Sequence, residues 1–127
     1  MRVLLDSDVI FDFLLERQPF FPVARELMLL NTSGEFEGYI SSITPVNLFY
    51  HGRKIVGAVK IRAGIADLLK LVRVCPIDHV SLEQALSLPF ADYEDAVQHA
   101  RDYKNASLQV FTPDAFLQHL KASQEQK

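Results

Sequence analysis

Short apolar runs alternate along this chain with stretches of helical hydrophobic period. Arg2-Val3-Leu4-Leu5 is apolar without alternation and stops at Asp6, the pattern of a strand covered on both faces. Ser7 or Asp8 then caps a helix to about Leu15, with Val9, Ile10, Phe13 and Leu14 as its apolar stripe. Pro19 and Pro22 break that pattern, and Pro22 opens a second helix to about Leu30, ending near Gly34. Gly38-Tyr39-Ile40-Ser41 predicts a second strand, after which Ser42 or Thr44 starts a helix through Phe49 and Tyr50. Gly52 and Gly57 loosen the chain before a basic amphipathic helix, Val59 to Leu71, with Ile61, Ile65, Leu68 and Leu69 on one face.

Val72 to Ile77 reads as a third strand, and Ser81 with Gln84 matches a capping box opening a short helix to Leu88. Pro89 ends that helix, and Asp92 starts another through about Lys104. Leu108-Gln109-Val110-Phe111 is a last short strand, and Thr112-Pro113 caps and opens a terminal helix through Leu120. Strands alternating with helices imply parallel crossover units, hence a three-layer α/β/α sandwich around a short parallel sheet. In such sheets ligands bind beyond the carboxyl ends of the strands, which points to Asp6, the region of Ser41 and Ser42, and Thr112.

The length of 127 residues suits one domain over 1–127, with residues 122–127 as a polar tail. A lone cysteine, Cys75, excludes an internal disulfide framework and a multi-cysteine zinc site. No apolar run reaches the ~18–20 residues that span a bilayer, and Asp6 comes too early for a secretory leader. A cytoplasmic protein with no membrane partner is expected.

The net charge of −3 conceals an uneven distribution. Residues 1–50 carry −4 and residues 75–102 carry −5, while residues 51–74 between them carry +5. A basic segment of this kind permits nucleic-acid binding through Arg53, Lys54, Lys60 and Arg62, although a solvated helix face gives the same pattern.

The acids hold the more specific chemistry. Asp6 directly follows the first strand, and Asp92 and Asp95 share one face of a helix start, spaced i, i+3. Three acids converging at one sheet edge repel each other unless a divalent cation joins them, and hard oxygen donors suit Mg2+ or Mn2+. Such an ion activates water and neutralises charge on a phosphodiester. Taken singly, Asp92 is also a helix cap, Asp95 a first-turn partner of the helix dipole, and Asp6 a cap. Asp8, Asp12 and Glu16, four apart, read as a solvated face. Asp6-Ser7-Asp8 is similar to the DxD of haloacid-dehalogenase-type phosphatases, but Ile10 stands where that pattern has Thr or Val. The four histidines, at 51, 79, 99 and 119, have no metal-ligand spacing.

Four segments in order carry a family resemblance. Leu4-Leu5-Asp6-Ser7-Asp8-Val9-Ile10-Phe11-Asp12 resembles the LLDTNVILD opening of PIN domains. Arg17-Gln18-Pro19-Phe20-Phe21 resembles the loop that follows in one bacterial branch, and Gly38 through Tyr50 its second strand and third helix. Phe90-Ala91-Asp92-Tyr93-Glu94-Asp95-Ala96-Val97-Gln98 resembles its "kDfeDAlq" element, the most specific of the four.

The resemblance implies the sandwich already inferred and a Mg2+- or Mn2+-dependent ribonuclease of the VapC-like toxin group, with an RNA substrate, an antitoxin partner and a homodimeric state. Asp6, Asp92 and Asp95 become the catalytic metal-binding acids, with Asn47, Ser7 and Asp114 in support. Asn47 stands where many PIN domains carry Glu. The apolar helices around Phe20–Leu30 and Phe49–Ile55 are the expected dimer surfaces. One departure stands out: Asp102 to Ala106 runs almost directly into a segment resembling the family's last strand and helix, so the strand and loop of the TRN-type motif are missing. A rival alignment sets Thr112 and Asp114 on that motif; Thr-Pro followed by Phe116-Leu117 favours the deletion. The alternatives to an active ribonuclease are a degenerate, non-catalytic PIN-like domain that binds RNA or protein, and a phosphatase or phosphoacceptor domain using Asp6.

Overall fold

The computed structural model describes residues 1–89, 108–109 and 113–125. The helix predicted from Asp92 through Lys104, and the residues Val110, Phe111 and Thr112, lie outside them. In chain order the elements are β1 (Arg2–Leu4), α1 (Ser7–Leu14), α2 (Phe21–Thr32), β2 (Glu37–Ser41), α3 (Thr44–Val56), α4 (Ala58–Leu71), β3 (Arg73–Cys75), α5 (His79–Leu86) and β4 (Leu108–Gln109). A last helix, α6 (Pro113–Glu125), runs into what the sequence marks as a polar tail. No described helix is long and apolar enough to cross a membrane.

The four strands form one sheet in the order β3-β2-β1-β4. Every pairing is parallel, with Val3 opposite Gly38 and Gln109, and Ile40 opposite Val74. The first two crossovers carry the sheet from β1 to β2 to β3, and β4 then returns to the other side of β1. The strand order therefore reverses at β1, where an open parallel sheet leaves a crevice beyond its carboxyl ends.

The apolar run of β1 is explained by burial on both faces. Val3 and Leu5 enter the main core with Ile10, Leu27, Ile40, Leu48 and Leu68, whereas Leu4 packs with Cys75 and Tyr39 in a second, smaller cluster. Phe116, Leu117 and Leu120 of α6 join the main core, Phe116 meeting Phe36 edge-on at 4.7 Å between ring centroids. Asn31 of α2 pins three elements, accepting from the Gly38 N–H at 2.9 Å and donating to the Leu71 carbonyl at 2.8 Å.

Several local expectations are corrected. Helix α1 begins one residue early: Asp6 is its N-cap, not Ser7 or Asp8, and Phe11 joins Val9 and Ile10 in the core while Phe13 and Leu14 pack against it partly buried. The short helix α5 is capped by Asp78, whose carboxylate accepts from the Ser81 N–H at 2.8 Å, so Ser81 is not the cap. Leu69 is exposed rather than on the buried face of α4, because the contact with the body runs through Ile61 and Leu68.

Gly52 does not loosen the chain but lies inside α3, buried where α4 crosses it, and a Cβ there would collide with the Ile61 side chain. The turn between the two helices is Gly57, whose φ of +88° disfavours L side chains. Gly52→Ala is accordingly expected to destabilise the fold by about 1–3 kcal/mol through overpacking. Gly64→Ala, whose Cβ meets only Leu14 at 3.8 Å, should gain up to about 1 kcal/mol of helix propensity. Urea denaturation of the two variants checks the opposite signs.

Candidate functional site

Val3, Leu4 and Leu5 are all buried, so Asp6 is the first position after β1 where a charged side chain reaches water, and it is exposed. Its backbone turns directly from extended geometry into α1, with φ −64° and ψ 149°. The Asp6 carbonyl accepts from Val9 N at 3.1 Å, but its carboxylate makes no capping bond to the helix. The carboxylate therefore stands at the carboxyl end of the central strand, at the point where strand order reverses.

The next residue fixes the approach of α3. Ser7 is buried, and its Oγ lies 3.1 Å from Thr44 Oγ1, which is completely buried. This hydroxyl pair ties the first residue of α1 to the first residue of α3 and brings Asn47, one turn further along α3, to the same edge of the sheet. Ser41 Oγ accepts from Ile43 N at 3.2 Å and Ser42 Oγ accepts from Ile77 N at 3.1 Å, so both serines shape the loops at this edge.

A cleft of about 480 Å3 opens beside Asp6, lined also by Asp8, Asp12, Arg17 and Phe20. Here the expectation of a solvated Asp8–Asp12–Glu16 face is corrected at Asp12, while Asp8 and Glu16 are exposed. Asp12 is buried at 8% exposure, and Arg17 Nε donates to its Oδ1 at 2.9 Å. Burying a carboxylate demands a charged or multiply hydrogen-bonded partner, and Arg17 supplies one. Glu16 lies past the end of α1 with φ +51°, so helical periodicity no longer applies to it. The pair escaped the sequence reading because it spans i, i+5 across the helix end.

Asp92 and Asp95 lie outside the described residues. Asp114 lies in the first turn of α6, the helix that follows β4 in the chain. The strand of β4 lies directly against β1, with no described strand between them. Arg53 and Lys54 end α3, and Lys60 and Arg62 begin α4, so these four basic residues gather at the α3–α4 hairpin. Arg53 is nine residues beyond Thr44, about 13 Å along the helix axis at 1.5 Å per residue. The guanidinium of Arg53 lies 5.0 Å from the Tyr50 ring centroid, and that of Arg62 lies 5.5 Å from that of Phe49. Half of the expected basic patch is therefore engaged with aromatic faces.

A profile of the PIN-domain family matches residues 2–106. The chain belongs to the PIN-domain family. Among solved structures, a chain of VapBC2 from Rickettsia felis, crystallised bound to a DNA fragment from the promoter, matches with a TM-score of 0.62. The match covers 88% of this chain and 86% of that one at 13% sequence identity, and so establishes the shared three-layer fold. No curated protein sequence matches this chain.

Among the described residues no group of three His, Cys, Asp or Glu side chains is arranged to hold a metal ion. The donors that the described part of this PIN domain does bring to the edge, the Asp6 carboxylate and the Asn47 side-chain amide, are hard oxygens of the type that suits Mg2+ or Mn2+. The Ser7–Thr44 pair is the structural link that positions them. Thr44→Val should destabilise the fold by about 1–2 kcal/mol by stripping the buried Ser7 hydroxyl of that partner. Adding Ser7→Ala should cost less than the sum of the two single changes, and a double-mutant cycle in urea checks the coupling.

Proposed function

We propose that this PIN domain is a Mg2+- or Mn2+-dependent ribonuclease of the toxin–antitoxin type, held by an antitoxin and acting as a homodimer. The single observation that carries the reading is the exposed Asp6 carboxylate, standing at the end of β1 where the strand order reverses. The family match over residues 2–106 and the fold shared with VapBC2 support it.

Asp6, Asp92 and Asp95 would hold the metal, which when bound supplies water activation and charge neutralisation at a phosphodiester. The chain's own residues do the rest. Asp6 is aimed by the buried end of β1, and Ser7 holds the turn that follows it through Thr44. Asn47 contributes a neutral oxygen and an N–H donor near the reacting phosphate. Arg53, Lys54, Lys60 and Arg62 hold the RNA backbone away from the acids, at the far end of α3. The exposed Val46, Tyr50 and Ile55 of α3 extend the apolar surface assigned to the dimer.

A second reading, a non-catalytic PIN-like binding module, is favoured by one observation. Asn47 provides no charge where many PIN domains carry Glu. Cleavage of RNA in Mg2+ or Mn2+ separates the two. The ribonuclease reading expects cleavage by the wild type and a loss of at least about a hundredfold, roughly 2.7 kcal/mol of barrier, in Asp6→Asn. Equal cleavage by both proteins contradicts the assignment of Asp6, and no cleavage by either favours the binding module.

A further inference from the structure

We propose that Arg17 is the phosphate-binding residue of the cleft beside Asp6, held by Asp12 so that the outer edge of its guanidinium meets a phosphodiester of an RNA strand. The inference rests on the reading that this cleft receives RNA, and adds a residue that neither the basic segment nor the acidic set contains.

Among the described residues lining the cleft, Arg17 is the only cation. Its side chain is fixed from two directions. Nε donates to the buried Asp12 Oδ1 at 2.9 Å, and the guanidinium carbon lies 5.6 Å from the centroid of the Phe11 ring. A long side chain already immobilised in this way loses little further entropy when a ligand arrives. The tether uses one nitrogen of the fork. Nη2 reaches Asp8 Oδ1 only at 3.6 Å, beyond good hydrogen-bond distance, and that carboxylate is 78% exposed. Nη2 also donates a long hydrogen bond to the Asp8 carbonyl, at 3.4 Å. Among the described residues Nη1 makes no hydrogen bond.

A guanidinium whose role ended at neutralising Asp12 would present its bidentate edge to that carboxylate. Here Asp12 takes Nε alone, and Nη2 is held only through long contacts to the exposed Asp8, a weak, solvent-screened competitor. The N–H groups of Nη1 and Nη2, the latter on giving up those long contacts, match two oxygens of a phosphate. With Asp6 on the same cleft, the phosphate so held lies next to the carboxylate assigned to the metal.

The test is metal-free binding of the full chain to a fluorescent 2′-O-methyl RNA oligonucleotide, read by anisotropy in EDTA at several salt concentrations. Arg17→Ala is expected to weaken binding by about tenfold or more, the scale of a charge-assisted hydrogen bond. The slope of log affinity against log salt should fall by about one, as for a lost phosphate contact. Arg17→Lys, which keeps the charge but not the fork, should fall between the two. If removing the Asp12 partner unfolds Arg17→Ala, Arg17→Lys decides the matter, with a reduced affinity expected. Wild-type affinity and slope in the folded variants would overturn the proposal and leave Arg17 as a structural tie for Asp12. Failure of the wild type to bind RNA would overturn it as well, as would binding of an acidic peptide, and not RNA, that depends on Arg17. The nuclease reading fails separately: a chain that binds RNA through Arg17 yet never cleaves it contradicts that reading alone, and an active enzyme indifferent to Arg17 contradicts this one alone.

Discussion

Everything at the candidate site follows from the burial of β1 on both faces. Its side chains divide between two apolar clusters, and strands pair with both of its edges. Past Arg2, which is exposed at the start of the strand, no charged residue fits there without an uncompensated desolvation cost. The first carboxylate must wait until the strand ends, and the strand ends where the sheet reverses its order. The location of Asp6 is thus a consequence of core packing as much as of chemistry. A polar residue in place of Val3, Leu4 or Leu5 would damage the fold before it altered any activity.

Around that fixed point, buried polar contacts decide how the helices approach. The Ser7–Thr44 pair sets the start of α3 against the start of α1, and the missing side chain of Gly52 lets α4 lie close over the far half of α3. Asn31 closes the opposite edge by joining α2, β2 and the end of α4 through two bonds. Asp6 and the four basic residues of the hairpin consequently lie towards opposite ends of α3. That separation keeps the Asp6 edge free of cations from the basic segment and leaves Arg17 as the nearest described positive charge in its cleft.

Much of this was legible in the sequence, for identifiable reasons. The unalternating run before Asp6 announced a strand buried on both sides, and proline and glycine positions located most helix boundaries. The order of strands and helices led to the parallel sandwich. What escaped detection were contacts between residues unrelated by any period. Asp12 and Arg17 pair around the end of α1, Gly52 meets Ile61 across a helical hairpin, and Asn31 finds partners in two other elements. Asp78 carried a usable signal, an acid three residues before Ser81 at the start of an apolar stretch, which the capping-box pattern at Ser81 and Gln84 outweighed. The acidic pair Asp92 and Asp95 rests on sequence alone.

The central claim is that the end of β1 delivers a metal-binding carboxylate. Titration of Mn2+ into the wild type and into Asp6→Asn, followed by calorimetry, addresses it without relying on any substrate. The account predicts micromolar binding by the wild type and at least about tenfold weaker binding by the variant, a difference of about 1.4 kcal/mol. Equal affinity in the two proteins, or no binding by the wild type, would contradict it.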